Sequence, residues 1–318
     1  MKKTVIAILL ILVMLMSAAC GAGKPDETQD TAPPHQDTTP PQTDPTWMTL
    51  PADRAITAKQ YFVYSCETGE FLTIAEDPTT KIYPASVTKL FTAYVALQYL
   101  SADQVITAGD VLNKVVAGSS VAEIKKGDTI PVHMLIAGML LPSGNDAAYL
   151  LAEAAGRVMY GEKAKEVSTD DAVKRFVKEM NDQAKILGMN GTHFANPDGI
   201  HSDDHYTTYA DLAIMGTLAL EDPLIRGYSI TSSLEWAGQN GTVQWKNTNA
   251  LVDPASEYYC AYCNGLKTGQ TPYAGSCLLS AFQYKGQTLI IGVFGCPEVD
   301  DRFPDTLQLF TEAAAKYR

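Results

Sequence analysis

The chain is short of positive charge and of cysteine. Lys and Arg number 24 against 36 Asp and Glu over 318 residues, a formal net charge of −12, and no basic cluster interrupts this balance. That composition argues against nucleic acid as a partner. His-Glu-x-x-His is absent, and the Cys260-x-x-Cys263 pair has no second pair at matching spacing. We therefore expect neither a metal ion nor a cofactor.

Long apolar runs are also absent, with one exception at the N-terminus. Residues 1–19 contain two lysines, an apolar run of about a dozen residues and then small residues, which is typical of a secretion signal. The run is too short for a permanent membrane span. We predict a signal peptide over residues 1–19 and an extracytoplasmic location.

The residues at the end of this segment, Ser17-Ala18-Ala19-Cys20, resemble a bacterial lipobox, although Leu is usual where Ser17 stands. Cys20 would then carry lipid and anchor the chain to the membrane. Ordinary cleavage after Ala19 is the alternative and would give a secreted protein. We favour the lipoprotein, with residues 20–48 as a lipidated cysteine and a disordered tether. The segment after Cys20 is rich in Pro, Thr, Gln and Asp, which predicts a long extended spacer directly after the lipid anchor.

The catalytic domain is predicted over residues 49–318, and it contains a nucleophile candidate next to a base candidate. Ser86 and Lys89 stand three residues apart at the start of an apolar pattern typical of an amphipathic helix. Residues at this spacing share a helix face, so the Lys89 amine is expected beside the Ser86 hydroxyl. A lysine kept neutral by burial can take the serine proton, and a helix N-terminus favours a nearby oxyanion.

The same pair also has a simpler interpretation. A serine at a helix start is commonly a cap, and a lysine one turn later is commonly a solvated charge. At ordinary Ser and Lys usage, a chain of this length contains about one Ser-x-x-Lys by chance. The rest of the sequence must decide between a cap and a catalytic pair.

Strand patterns lie at both ends of the folded part, with helix patterns between them. Residues 55–75 predict a hairpin that turns at Gly69, and residues 264–296 predict three further strands. Helices are predicted after Ser86, from Val132, from about Asn145, over 170–187, from near Thr208 and over 304–316. This order predicts an α/β (α+β) fold, with one antiparallel sheet flanked by helices and an all-helical lobe inserted.

Two further triplets stand at informative places in this pattern. Ser143-Gly144-Asn145 follows Pro142 at the break between two predicted helices, where it could be no more than a helix cap. Lys267-Thr268-Gly269 lies in a predicted strand, where the lysine could be a solvated charge on an edge. Each triplet alone is a weak signal, but their order and spacing after Ser86-x-x-Lys89 make a specific combination.

With these three motifs the chain resembles the penicillin-binding protein and serine β-lactamase superfamily. Ser-Gly-Asn in place of Ser-Asp-Asn, and stretches such as YPASVTKLFTAYVAL and GLKTGQTPYAGSCLLSAF, resemble the low-molecular-mass D-alanyl-D-alanine carboxypeptidases. The similarity runs from about Ala55 to the end of the chain. It implies a β-lactamase/transpeptidase-like fold and a serine hydrolase that trims the terminal D-Ala from peptidoglycan stem peptides, with β-lactams as covalent inhibitors.

The resemblance implies catalytic roles for three side chains. Ser86 attacks the carbonyl of the penultimate D-Ala and becomes acylated, Lys89 serves as its base, and Ser143 relays a proton. The backbone N–H groups of Ser86 and Gln270 would form the oxyanion hole. Relatives often have His or Tyr where Gln270 stands, but only its backbone is needed.

The resemblance also implies a set of substrate contacts. Asn145 holds the peptide amide of the substrate, and Lys267 and Thr268 bind its terminal carboxylate. Gly269 leaves room for the substrate along the strand, and Arg302 assists with the carboxylate. The chain ends at Arg318 without the β-rich C-terminal domain and amphipathic anchor of many relatives, and we expect lipid on Cys20 to take over anchoring.

Four rival interpretations remain open at this stage. A serine β-lactamase has the same motifs, but no clear equivalent of its deacylating Glu is found in the stretch NPDGIHSDDHY. A D,D-endopeptidase would use the same site on peptidoglycan cross-links. His201, Asp203, Asp204 and His205 have a spacing that suggests a metal site, although we expect a structural role for them. A catalytically inactive binding module is disfavoured because all three motifs are intact.

Overall fold

The computed structural model describes residues 54–238 and 241–317, and every structural statement below concerns these residues. The predicted signal peptide, the lipidation site Cys20 and the tether over residues 20–48 lie outside them. Within the described ranges, no helix is long and apolar enough to cross a membrane.

The predicted strands and helices occur in the predicted order, and further short elements lie between them. The strands are β1 (Gln60–Ser65), β2 (Glu70–Ile74), β3 (Lys81–Ile82), β4 (Val105–Thr107), β5 (Thr129–Pro131), β6 (Thr207–Thr208), β7 (Ser233–Gly238), β8 (Gly241–Lys246), β9 (Cys263–Thr271), β10 (Gly275–Tyr284) and β11 (Gln287–Cys296). The helices are α1 (Thr88–Leu97), α2 (Val132–Leu140), α3 (Asn145–Val158), α4 (Thr169–Ile186), α5 (Tyr209–Glu221), α6 (Pro223–Ile230) and α7 (Arg302–Ala314).

Five strands form the central antiparallel sheet, in the order β2-β1-β11-β10-β9. The first strand pairs with the last, so Gln60 lies opposite Phe294 and Ser65 opposite Leu289. The predicted hairpin turns at Gly69, whose φ of +70° is a conformation that glycine adopts without strain. β9 stands at one edge of this sheet and carries the third motif.

Both faces of the sheet are covered, which explains the nearly continuous apolar sequence of β11. Leu289, Ile291 and Val293 point to one face and belong to the same buried cluster as Phe310 of α7. Ile290 points to the other face, where its side chain lies against Gly216 of α5. The alternation of side chains along the strand thus serves two cores.

The structure confirms the predicted fold and adds detail to the inserted lobe. Besides the helices, three two-stranded sheets occur among the described residues, β3–β6, β4–β5 and β7–β8. The position of Ser86 differs from the prediction. Ser86 lies in a 3-10 turn, Ala85–Val87, directly before α1 rather than in the first turn of the helix itself.

Candidate active site

The turn that carries Ser86 is held tightly from two sides. Ala85 adopts a φ of +48°, an uncommon conformation for a residue with a side chain. A Cβ on Gly269 of β9 would lie 3.1 Å from the Ser86 nitrogen, and one on Gly199 would lie 3.0 Å from it. Only glycine at these two positions allows strand and loop backbone to approach the turn so closely.

Ser86 and Lys89 are in contact, as their spacing predicts. The Lys89 Nζ donates a hydrogen bond to the Ser86 Oγ at 2.9 Å and another to the Asp198 carbonyl oxygen at 2.6 Å. The lysine side chain is fully buried. Burial lowers the pKa of Lys89 to about 8, against the opposing charges of Asp198 and Asp146. A sizeable fraction of this lysine is therefore neutral near pH 8 and can accept the serine proton.

Asp198 belongs to the site but was not found by sequence reasoning. Its side chain is 1% exposed, and its Oδ2 accepts no hydrogen bond from the described part of the chain. Burial raises the pKa of Asp198, and the neighbouring Lys89 charge opposes that rise. The Asn196-Pro197-Asp198-Gly199 sequence marks a turn, which is the one local signal that could have drawn attention to it.

Ser143 and Asn145 lie at the corner between α2 and α3. Ser143 has a φ of +64°, and both side chains are buried. The Asn145 N–H donates to the Ser120 carbonyl, and the Gly144 N–H donates to the Gly138 carbonyl, which together fix the corner. The triplet thus lies at the predicted break between two helices, where the loop around Ser120 packs against it.

Asp146 fixes that loop from the first turn of α3. Its carboxylate accepts hydrogen bonds from the backbone N–H groups of Ala122, Ile124 and Ala147. The Trp245 Nε1 of β8 donates to the Ala122 carbonyl at 2.9 Å from the other side. The wall of the cleft that carries Ser143 and Asn145 is therefore built from three separate segments.

Lys267 is a buried lysine on the strand next to the nucleophile. Its side chain is 1% exposed, and its Nζ donates to the hydroxyls of Thr248 and Thr268, each at 3.3 Å, and to the Thr268 carbonyl at 3.2 Å. Burial and the nearby charges of Lys89 and Arg302 hold the pKa of Lys267 well below its usual value. Such a group gains from an anion in the cleft, since an opposite charge restores its protonated form.

Thr248 is a second residue that sequence reasoning missed. Its Oγ1 lies 2.5 Å from the Thr268 Oγ1, and its N–H donates to the Leu141 carbonyl at the end of α2. It thus connects the third motif on β9 with the corner that carries the second. No spacing rule links position 248 to either motif, because the contact is made only by the folded chain.

Arg302 and Gln270 complete the set of predicted residues. The buried Arg302 side chain at the start of α7 donates from Nη1 to the Gly269 carbonyl at 3.4 Å. Burial lowers its pKa. Gln270 is exposed and lies opposite Ser276 of β10 in the sheet. It directly follows Gly269, so its backbone continues along the part of β9 that lies beside Ser86.

Of the residues suggested as metal ligands, His205 is occupied by other groups. The Nδ1 of His205 accepts from the Ala195 N–H, and its Nε2 lies 2.8 Å from the Thr88 hydroxyl, which donates to the Ala85 carbonyl. Burial lowers the pKa of His205 to about 3, so the ring is neutral. Over residues 54–238 and 241–317, no three His, Cys, Asp or Glu side chains are grouped to hold a metal ion. The histidine supports the backbone of the nucleophile turn.

The cysteines of the described ranges are all free thiols. Cys66, Cys260, Cys263, Cys277 and Cys296 form no disulfide with one another. Burial raises the pKa of each thiol. These groups are therefore poor thiolate nucleophiles and poor metal ligands as they stand.

The arrangement as a whole is suited to acyl transfer. The Ser86 hydroxyl contacts Lys89, a lysine whose pKa is lowered by burial. Lys267, next to two threonine hydroxyls, lies on the strand that packs against the same turn. A nucleophile, a base and an anion-binding group in one cleft fit a substrate with a carbonyl near a carboxylate.

The family comparison agrees with this chemistry. Residues 47–298 match the model of peptidase family S11, described as D-alanyl-D-alanine carboxypeptidase. A Streptomyces D-alanyl-D-alanine carboxypeptidase is 32% identical over 240 residues, which cover 72% of this chain and 78% of the relative. An Escherichia coli D-alanyl-D-alanine carboxypeptidase, DacA, is 30% identical over 82% of this chain, and the match spans 62% of the relative's length.

Solved structures give the same fold. The crystal structure of a Streptomyces DD-transpeptidase has a TM-score of 0.71 and 29% identity, covering 82% of this chain and 98% of that one. The D-alanyl-D-alanine carboxypeptidase DacD of Francisella tularensis has a TM-score of 0.67 and 26% identity, with 85% and 72% covered. The predicted family, fold and serine-hydrolase class are confirmed. The chain belongs to the D-alanyl-D-alanine carboxypeptidase family of penicillin-binding serine peptidases.

Proposed function

We propose that this chain removes the terminal D-Ala from peptidoglycan stem peptides through an acyl-enzyme on Ser86. The observation that carries the proposal is the 2.9 Å contact between the Ser86 Oγ and the buried Lys89 Nζ, whose pKa of about 8 makes it a usable base. Family membership supplies the substrate class.

Acylation follows from the geometry of the turn. Neutral Lys89 takes the proton of Ser86 as the Oγ attacks the carbonyl carbon of the penultimate D-Ala. The resulting oxyanion accepts hydrogen bonds from the N–H groups of Ser86 and Gln270. The proton passes through Ser143 to the amine of the leaving D-Ala, the C–N bond breaks, and an ester remains on Ser86.

Hydrolysis reverses these roles with water in place of the amine. Water loses a proton to the base, its oxygen attacks the ester carbonyl, and Ser86 leaves with a proton restored. The product is the shortened stem peptide. The two acyl transfers, from the peptide amide to Ser86 and from the Ser86 ester to water, thus need a single base that is neutral at the start of each step.

The substrate is held by its negative end and its backbone. Lys267 and the Thr268 hydroxyl bind the terminal carboxylate, with Arg302 adding positive charge behind β9 through its contact with the Gly269 carbonyl. Asn145 holds the peptide amide from the opposite wall. A buried lysine whose pKa is depressed by burial and by neighbouring cations gains binding energy from such a carboxylate.

β-Lactams are proposed to acylate the same serine, because their ring amide and carboxylate present the same two groups to the cleft. A β-lactamase would then have to hydrolyse the adduct rapidly. A D,D-endopeptidase would cut the amide between a D-Ala and a cross-linked side chain by the same steps. The family match favours neither alternative over the carboxypeptidase.

We further propose that the domain works outside the cytoplasm as a lipoprotein, with lipid on Cys20 and residues 21–48 as a tether. The proposal rests on the sequence of residues 1–48 alone. Metabolic labelling of the full chain with a fatty-acid probe tests it. We expect label on wild type and none on Cys20→Ala, with the variant released into the medium. Equal label on both, or wild type found in the medium, contradicts membrane anchoring.

D-Ala release from an acylated Lys-D-Ala-D-Ala peptide tests the activity. We expect release by wild type, inhibition by benzylpenicillin, and none with Ser86→Ala. Release only from cross-linked peptidoglycan fragments would identify an endopeptidase. Multiple turnovers of a penicillin would identify a β-lactamase. If the protein neither cleaves the peptide nor is labelled by penicillin, it is not an enzyme of this kind.

A further inference from the structure

Three aromatic rings stand together beside the nucleophile turn. The rings of His201 and Tyr273 are stacked, with centroids 3.8 Å apart and an interplanar angle of 11°. Tyr83 meets the other side of the group, edge to face with His201 at 4.7 Å. Tyr273 is 69% exposed, so its outer face is open to solvent although its inner face is fixed by the stack. We call Tyr83, His201 and Tyr273 the aromatic wall.

The segments that carry the wall are the same ones that grip Ser86. Tyr83 stands three residues before the nucleophile, and His201 stands two residues after Gly199. Tyr273 lies in the turn between β9 and β10, four residues after Gly269. Because Gly199 and Gly269 both pack on the Ser86 backbone, the wall is anchored close to the reacting serine.

The direction of the substrate along β9 follows from two points of the proposed function. Its carboxylate binds at Lys267 and Thr268, and its reacting carbonyl lies at the N–H groups of Ser86 and Gln270. An extended peptide rises about 3.3 Å per residue, as does the strand beside it. The residue that precedes the penultimate D-Ala therefore continues past Gln270, toward the turn that holds Tyr273.

We propose that the aromatic wall is the subsite for the side chain of the third stem-peptide residue, and that it selects a long aliphatic side chain ending in an amine. This inference rests on the proposed carboxypeptidase function. Aromatic faces bind methylene stems by contact and ammonium groups through the ring quadrupole. A glycine or alanine at the third position would not reach the exposed face of Tyr273.

A purely structural role for the stack would give a different result. If the His201–Tyr273 contact only fastened the loop to the strand, its loss would misplace the oxyanion hole and slow every substrate alike. Loss of a subsite, by contrast, lowers kcat/KM only for the substrates whose side chain contacts it. The measurement must therefore compare two substrates that differ only at the third residue.

The experiment measures kcat/KM for D-Ala release from acetyl-Lys-D-Ala-D-Ala and acetyl-Gly-D-Ala-D-Ala. The enzymes are wild type, Tyr273→Ala, Tyr273→Phe and the matched control Tyr259→Ala, since Tyr259 is also exposed, at 39%. We expect Tyr273→Ala to lower kcat/KM about tenfold for the lysine peptide and less than twofold for the glycine peptide. Tyr273→Phe, which keeps the ring, and Tyr259→Ala should retain the wild-type ratio.

The outcomes separate this inference from the proposed function. Equal losses on both peptides, or no loss on either, overturn the subsite while leaving the carboxypeptidase intact. If wild type releases D-Ala from neither peptide, the proposed function is overturned and the subsite with it. His201→Ala provides a second route to the same comparison, because it removes the ring that fixes Tyr273 and should reproduce the selective loss.

Discussion

Lys89 combines complete burial with a hydrogen bond to Ser86, and in the proposed mechanism its protonation state controls the reactivity of that serine. Water is excluded from the amine, so its charged form is disfavoured and its pKa falls to about 8. Asp198 and Asp146 oppose this fall. The Lys89 charge in turn lowers the pKa of Lys267 on β9. In the proposed mechanism, these charges around Lys89 determine the pH range in which Ser86 is acylated.

A pH profile of acylation tests this account of Lys89. The neutral amine is the reactive form, so the rate of Ser86 acylation by benzylpenicillin should rise with pH through an apparent pKa near 8. Asp198→Asn removes a negative charge that raises the pKa of Lys89, and we expect the rising limb to move to lower pH. Asp103→Asn, at an exposed position, is the matched control. An unmoved limb in Asp198→Asn would contradict the assigned coupling.

Gly269→Ala tests the close approach of β9 to the nucleophile turn. The added Cβ would lie 3.0 Å from the Pro84 carbonyl oxygen and 3.1 Å from the Ser86 nitrogen, where the proposed oxyanion must bind. We expect penicillin acylation to slow by about a hundredfold, which is the usual effect of losing one oxyanion donor. Gly109→Ala, with open space around its Cβ, should acylate at the wild-type rate. Equal rates for both variants would contradict the geometry.

At this scale the sequence predicted residues that belong to contiguous motifs and missed those brought in by folding. Ser86 and Lys89 were predicted to touch from helix spacing, and the structure confirms their contact. Asp198 and Thr248 lie 109 and 19 residues from the partners they contact, Lys89 and Lys267, so no local pattern reveals them. The catalytic and binding roles of the motif residues stay predictions until they are measured.

The start of α3 shows how elements assemble the cleft. Asp146 fixes the loop of residues 120–124 through the backbone N–H groups of Ala122 and Ile124, and Trp245 of β8 holds the same loop. The hairpin β7–β8 and the helix α6 were not predicted. α6 has only eight residues and follows α5 after Asp222 alone. The pair Asp222-Pro223, an N-cap followed by Pro at the first helical position, is the local signal that could have revealed it. β7 and β8 are mostly exposed and lack a long apolar alternation.

Asp146→Ala tests the fixing of the loop. The substitution would leave the N–H groups of Ala122 and Ile124 without their acceptor, and we expect a loss of about 3 kcal/mol in the free energy of unfolding. Urea unfolding followed by circular dichroism measures it. Asp103→Ala, at an exposed site, should change stability by less than about 0.5 kcal/mol. A similar small change in Asp146→Ala would contradict the anchoring role.

The whole domain is closed by contacts between its two ends. β1 pairs with β11, and Asp305 of α7 accepts from the Thr57 and Ala58 N–H groups, the Thr57 hydroxyl and the Arg54 guanidinium. Asp305 itself is fully buried. The fold order was predictable because strand patterns stand at both ends of the chain with helices between. The Asp305 contacts were not, because they span about 250 residues of sequence.

Asp305→Ala tests how much this closure contributes. Several buried donors, including the charged Arg54, would lose their acceptor, so we expect the domain to be destabilised by about 3 kcal/mol or more. Thermal unfolding should show one cooperative transition at lower temperature, since the ends form part of the central sheet. A wild-type transition temperature, or a separate early transition confined to the N-terminal hairpin, would contradict a closure shared by the whole domain.

The central claim is that Ser86 is the acylated nucleophile. Mass spectrometry of the intact protein and of its peptides after benzylpenicillin treatment measures this directly. We expect one penicilloyl group on wild type, located on the peptide that contains Ser86, and none on Ser86→Ala. An adduct on a different residue, or an equal adduct on the Ser86→Ala variant, would contradict the assignment of the site.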